Sequence, residues 1–274
     1  MNSSLTRFLK MDDTQIAYRF DGPDNAPVVL LSNSLMTNFS MWDTTIPYWL
    51  DRFRVLRYDI RGQGHSDTSV GPYSMAQLSG DVLKMLDLLQ IDKVNFVGLS
   101  LGGMIGQQFA IDHQDRLHSL VLCNTACEMP PPDLWNRCRE IVLHEGMAGI
   151  AKDTLRYWFQ PSFLRSNKQY PDLFREMILQ NNIEGYIACI TAIRDMNHAQ
   201  MLFKIKCPTL IIAGKKDIMC TVHQARALNR FIEKSRLIIL KDAAHISNIE
   251  LPSEFAHAIM SFILEQGHTG VLAG

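Results

Sequence analysis

The sequence predicts an α/β fold: a mostly parallel central sheet flanked by helices, with a helical lid inserted into it. Three observations carry that expectation. The continuous apolar run Val28-Val29-Leu30-Leu31 is the mark of a strand covered on both faces, and strand signals recur down the chain as far as Cys207 to Gly214 and Arg236 to Leu240. Segments with helical spacing alternate with these runs, which implies right-handed crossovers and parallel pairing. From Leu134 to about Phe203 strand signals vanish, replaced by helical patterns rich in aromatics and methionine, among them Trp135, Met147, Trp158, Phe174, Tyr186 and Met201.

In chain order, Gln15 to Phe20 alternates polar and apolar side chains as a half-exposed antiparallel strand would, after a turn at Asp12-Asp13. Residues 22–27 form a loop, and Val28 to Leu31 the first buried strand. Phe53 to Asp59 is the next strand and leads into Asp59-Ile60-Arg61-Gly62-Gln63-Gly64-His65-Ser66, a turn in which Asp59 and Arg61 read as structural supports and His65 as background. Apolar residues Met75, Leu78, Val82, Met85, Leu86 and Leu89 fall on one helical face. A strand from Val94 runs into a helix ending near Ala110, and Leu117 to Cys123 is again a strand. The breaker Glu128-Met129-Pro130-Pro131-Pro132-Asp133 opens the insertion, which reads as a cap over the site. Strands return at Cys207 to Gly214 and Arg236 to Leu240. The expected organisation is a core of residues 1–126 and 206–266, a helical cap at 127–205 and a tail at 267–274.

Composition narrows the class. A chain of 274 residues is long enough for a sizeable core, and its net charge of −1 gives no reason to expect a nucleic-acid or membrane-surface partner. Six scattered cysteines without CxxC spacing point to reduced thiols rather than a zinc site or a disulfide framework. MNSSLTRFLKMDD carries charges and no long apolar run, unlike a signal peptide, and no stretch is long and apolar enough to span a bilayer. A cytoplasmic protein is expected. Nothing in the sequence requires or excludes an oligomer.

The chemistry centres on Gly98-Leu99-Ser100-Leu101-Gly102, the nucleophile-elbow spacing between a strand and a helix. So tight a turn strains the nucleophile's backbone and leaves no room for side chains two residues either side of it. Ser100 would then stand at a helix N-terminus, where unpaired N–H groups favour developing negative charge. The competing reading is a glycine-rich turn with an incidental serine. Chain order nucleophile, acid, histidine places the acid at Asp217, after the strand from Cys207 to Gly214, with Asp242 as its rival. Of nine histidines, His245 follows the last strand at the sheet's carboxyl end, whereas His257 lies on the next helix and His268 in the tail. Enzymes with this elbow take one oxyanion N–H from the loop after the first buried strand. Aligning Ser32-Asn33-Ser34-Leu35 on Trp42 and Asp43 puts that donor on Leu35, with Leu101 as the second; because a backbone donor says little about side-chain type, a structural role for Leu35 is the competing reading. The expected mechanism is acyl transfer through Ser100 with His245 as base and Asp217 as its orienting acid, without metal or organic cofactor.

The chain resembles the 3-oxoadipate enol-lactonases, α/β-hydrolases of bacterial aromatic-compound degradation, along nearly all its length. The resemblance rests on Ser32-Asn33-Ser34-Leu35 with Ser40-Met41-Trp42-Asp43, on Gly98 to Met104, on Asn124-Thr125-Ala126, and on Ala243 to Glu250. It also includes Trp135-Asn136, Trp158-Phe159 and Ala192-Ile193-Arg194-Asp195, all in the insertion where substrate class is set. It implies hydrolysis of the ring ester of a small enol-lactone carrying a free carboxylate. A lid arginine, first Arg194 and second Arg137, would receive that carboxylate, and Trp135 and Trp158 would wall the pocket. The competing readings are a paired or solvated arginine and tryptophans of the cap's own core. Met36 stands where these enzymes have glycine, and Ile218 to Val222 replaces a proline-containing turn. A carboxylesterase or lactonase of other specificity therefore stays open, as does a ligand-binding receptor with little turnover.

Overall fold

The computed structural model describes residues 5–129 and 132–267. Eight strands form one sheet: β1 (Arg7–Lys10), β2 (Gln15–Asp21), β3 (Val28–Ser32), β4 (Arg54–Tyr58), β5 (Val94–Leu99), β6 (Leu117–Cys123), β7 (Thr209–Gly214) and β8 (Ser235–Leu240). Their spatial order is β1-β2-β4-β3-β5-β6-β7-β8. β1 and β2 are antiparallel to their neighbours, and every pair from β4 to β8 is parallel. In β5, at the centre, all six residues are buried, as a strand covered on both faces requires.

β1 is a strand that the charged N-terminal segment hides: it pairs with β2 across a tight turn closed by Met11 N–H to the Thr14 carbonyl at 2.8 Å, and its side chains are largely exposed. That pairing also corrects the half-exposed expectation for β2. With β1 on one edge, β4 on the other and the Ser66 hydroxyl accepting the Ala17 N–H at 2.9 Å, Ile16, Ala17 and Tyr18 are all buried.

Helix α1 (Met75–Leu88) is N-capped by the Ser74 hydroxyl, which accepts the Gln77 N–H at 3.1 Å. It buries Met75, Leu78, Val82, Met85 and Leu86, the predicted apolar face. Helix α2 (Leu101–His113) follows β5 directly. The inserted segment consists of α3 (Pro132–Glu145), α4 (Ala148–Trp158), α5 (Pro161–Ser166), α6 (Gln169–Leu179) and α7 (Ile183–Asp195). Trp158, Phe159, Phe163, Tyr170 and Phe174 stack and edge onto one another as its own aromatic core, with centroids 5.0 to 6.4 Å apart. Its two ends are stapled together: Glu128 and Asn197 form an antiparallel bridge, and the His198 N–H donates to the Cys127 carbonyl at 2.8 Å. Three helices close the chain, α8 (Val222–Phe231), α9 (Ser247–Glu250) and α10 (Pro252–Glu265). Past Gly267 the expected tail lies outside the described residues, as do Pro130 and Pro131 of the predicted breaker. No helix among the described residues is long and apolar enough to cross a membrane.

Candidate active site

The turn from β5 to α2 is held by backbone sterics. Ser100 has φ 56° and ψ −114°, a left-handed strained conformation for a residue with a side chain. A Cβ on Gly98 would stand 2.2 Å from the Gly102 carbonyl oxygen, and one on Gly102 would stand 2.1 Å from that of Ser32. Neither obstacle can move, because both are main chain. The Ser100 N–H donates to the Cys123 carbonyl at 2.9 Å, and the Thr125 hydroxyl to the Ser100 carbonyl at 2.8 Å.

His245 and Asp217, both buried, meet across the carboxyl ends of β7 and β8. Nδ1 of His245 lies 2.8 Å from Oδ2 of Asp217. The same Oδ2 accepts Nδ2 of Asn124 at 2.9 Å, while Oδ1 accepts the N–H groups of Met219 and Cys220, each at 2.9 Å. The residues that replace a proline-containing turn thus supply two donors to the acid, and Thr221 then opens α8 with a capping box shared with Gln224. With the Asn124, Met219 and Cys220 donors already on it, the Asp217 carboxylate offers His245 Nδ1 an acceptor, which suits the tautomer with its N–H at Nδ1 and leaves Nε2 turned away from the acid. Asp242, the rival acid, is exposed. From the cap, the Trp158 carbonyl accepts the N–H groups of both His245 and Ile246 at 3.1 Å. Glu250 accepts the N–H groups of Ala244 and, at 2.7 Å, of Gln160, and burial pushes its pKa up.

Across the site, Asn33 lies in the loop after β3. It is fully buried, donating to the Tyr58 carbonyl at 2.9 Å and accepting the Trp42 indole N–H at 2.8 Å, so it fixes the loop after β3. Neither the Leu35 nor the Leu101 N–H is spent on a hydrogen bond among the described residues. Asp59 braces this loop from below, accepting the N–H groups of Phe39 at 2.6 Å and His65 at 2.8 Å. His65, read from sequence as background, stacks on Phe39 and bonds Asp59, which raises its pKa. Arg61 is locked between Asp81 and Asp13 at 2.5 to 2.8 Å.

Ser100, His245, Leu35, Met36, Trp135 and Trp158 line one cavity of about 300 Å³ between sheet and cap. Its walls are mostly apolar, including Met104, Met129 and Met219. Arg137 reaches its rim and has no ion-pair partner among the described residues. Arg194, the preferred arginine from sequence, is elsewhere: its guanidinium forks onto the neighbouring Asp195 at 2.7 and 2.9 Å and bonds Asn136 at 3.2 Å. The reason is local, since an acid one residue away at the end of α7 captures the fork before any ligand can. Sequence reasoning missed Asn124, Glu250, Gln63 and Asn181. Asn124 and Glu250 lie inside segments that carry the family resemblance, whereas Gln63 and Asn181 have no sequence signal at all.

Residues 27–161 match the alpha/beta hydrolase fold family model. The chain is 36% identical over 251 residues to 3-oxoadipate enol-lactonase 2 of Acinetobacter baylyi, covering 92% of this chain and 94% of that one. It is also 26% identical to the putative carbamate hydrolase RutD of Pseudomonas syringae, over 88% of this chain and 95% of that one. The crystal structure of the enol-lactonase from Burkholderia xenovorans LB400 superposes with a TM-score of 0.92 at 37% identity, covering 94% of this chain and all of that one, 100%. The elbow, the sheet order and similarity over nearly the whole length agree, and the chain belongs to the α/β-hydrolase fold family, as a hydrolase related to the 3-oxoadipate enol-lactonases.

Proposed function

We propose that Ser100, His245 and Asp217 form a catalytic triad that hydrolyses the ring ester of a small carboxylated enol-lactone, 3-oxoadipate enol-lactone, to 3-oxoadipate. The observation that carries the chemistry is the His245–Asp217 hydrogen bond opening onto the cavity that Ser100 lines from its strained turn. Similarity to the Acinetobacter enol-lactonase, sustained through cap as well as core, supports the substrate and a role in aromatic-compound breakdown by the β-ketoadipate route.

Nε2 of His245 takes the Ser100 proton as Oγ attacks the lactone carbonyl, and the oxyanion is held by the Leu35 and Leu101 N–H groups. Asp217 steadies the imidazolium. Collapse breaks the ring C–O bond, and His245 protonates the departing enol oxygen. In a lactone this leaving group stays tethered to the acyl-enzyme. Water, deprotonated by His245, then adds to the acyl carbon and frees Ser100, and the enol relaxes to the ketone. Arg137 at the cavity rim receives the free carboxylate. A second reading, a carboxylesterase or lactonase of other specificity, is favoured by the largely apolar walls and by Met36 among them.

The test is hydrolysis of freshly made enol-lactone followed by its absorbance. Wild type turns it over and Ser100→Ala does not, while Arg137→Ala raises KM about tenfold for this anion and leaves a neutral aryl ester unchanged. If the aryl ester is cleaved and the lactone persists, the triad stands and the second reading replaces the first.

A further inference from the structure

The loop carrying Leu35 is fastened one peptide at a time, and one of its fasteners comes from the cap. The Ser34–Leu35 peptide, which bears the Leu35 N–H, is held by its carbonyl: Thr37 donates to it through its N–H at 3.3 Å and its hydroxyl at 2.7 Å. In the next peptide the Met36 N–H donates to Oε1 of Gln63 at 2.5 Å. In the third, the Met36 carbonyl accepts Nδ2 of Asn181 at 3.1 Å, from the segment joining α6 to α7. These ties hold Met36 at φ 61°, a left-handed region that is sterically unfavourable for an L-residue. Without them the loop relaxes toward negative φ and turns the adjoining peptides with it.

We infer that Asn181 is a positioning residue for the Leu35 oxyanion donor, so that the seating of the cap and the geometry of the oxyanion hole are one structural event. This rests on the proposed role of Leu35. Two features separate it from ordinary packing. Asn181 is buried with Oδ1 lacking any partner, an unfavourable arrangement that an apolar side chain would avoid. Its amide nitrogen is committed on both sides, to the Met177 carbonyl at 2.7 Å and the Ile178 carbonyl at 3.4 Å at the end of α6, and to the Met36 carbonyl, 145 residues away. The second core-side tie also meets the cap, since Nε2 of Gln63 lies 3.5 Å from Sγ of Cys189 on α7.

The experiment compares wild type with Asn181→Leu, similar in volume but without a donor, using a fluorophosphonate and a neutral aryl ester. The labelling endpoint counts folded sites, and its rate reads the oxyanion hole because the phosphonyl adduct is tetrahedral. The expected result is a full endpoint, labelling rate and kcat falling together by about 10- to 100-fold, and KM within twofold. Gln63→Leu gives the same signature from the core side. Should the leucine prevent folding, Asn181→Ser, small enough to fit yet too short to reach Met36, gives it instead. A kcat within twofold of wild type at full endpoint, or a rise confined to KM, overturns the inference. Wild type that fails to label at Ser100 overturns the triad itself, and the inference with it.

Discussion

Ser100 and His245 face one cavity, yet different forces hold them there. The serine's turn is fixed by main chain against main chain: glycines at 98 and 102 sit where any Cβ would overlap a carbonyl oxygen, beneath a strand buried throughout. The histidine follows β8, the last and least buried parallel strand, and its loop is fixed by hydrogen bonds. Asn124 donates to the Ala244 carbonyl at 3.0 Å, Glu250 takes the Ala244 N–H, and the cap's Trp158 carbonyl takes the next two. Repulsion between backbones is all or nothing, whereas hydrogen bonds can be removed singly. Ser100, the proposed nucleophile, should therefore fail abruptly when its turn is altered, and His245, the proposed base, by degrees.

The sharpest way to break this contrast is Gly102→Ala. The added methyl meets the Ser32 carbonyl oxygen at 2.1 Å, and Ser32 belongs to β3, paired on both sides, so nothing yields cheaply. Stability should fall by about 3 kcal/mol or more, with activity lost in whatever still folds. Denaturant unfolding together with the aryl-ester assay checks both, and an alanine enzyme of near-normal stability would mean that the elbow is not sterically fixed.

Glu250→Ala probes the graded side. It leaves the Ala244 and Gln160 N–H groups without their acceptor at the seam between cap and histidine loop. Losing buried partners of this kind costs about 1–3 kcal/mol each, offset in part because the raised Glu250 pKa shows that its charge is itself unwelcome there. A net loss of about 2 kcal/mol is expected, with kcat reduced about tenfold rather than abolished. A loss as complete as that of Ser100→Ala would show the His245 loop to be as rigidly specified as the Ser100 turn.

The same contrast explains what the sequence disclosed. The elbow is written in five consecutive residues because its constraint is local, and the parallel strands are legible because burial on both faces demands unbroken apolar runs. Thr209–Gly214 was therefore recognisable, while the exposed edge strand Arg7–Lys10 was not, its stability coming from pairing with β2 rather than from composition. Chain order and strand ends point to Asp217 and His245. Gln63 and Asn181 are invisible because their partners lie 27 and 145 residues away, a separation no local pattern encodes. Arg194 differs for the opposite reason: its competing partner, Asp195, is adjacent, and the pair forms on the surface without reaching the cavity.

The neck of the cap gives the smallest effect and a way to separate cap attachment from chemistry. His198 is buried there against α2, with Nε2 at 2.9 Å from Oε1 of Gln108 and Nδ1 unpartnered, and burial lowers its pKa to about 4. Because the folded value lies below the ordinary 6.5, the unfolded chain binds more protons between the two, and stability falls as pH drops through that window. Between pH 7 and pH 5 the loss from this group should be about 2 kcal/mol, by 1.36 kcal/mol per pKa unit. His198→Gln removes the titration while keeping a neutral polar side chain, so its stability should decline less over the same range. Equal declines in both proteins would place the acid sensitivity elsewhere. A loss of kcat over this range in fully folded wild type that His198→Gln does not share would instead show that the neck, like Asn181, governs the geometry of the site.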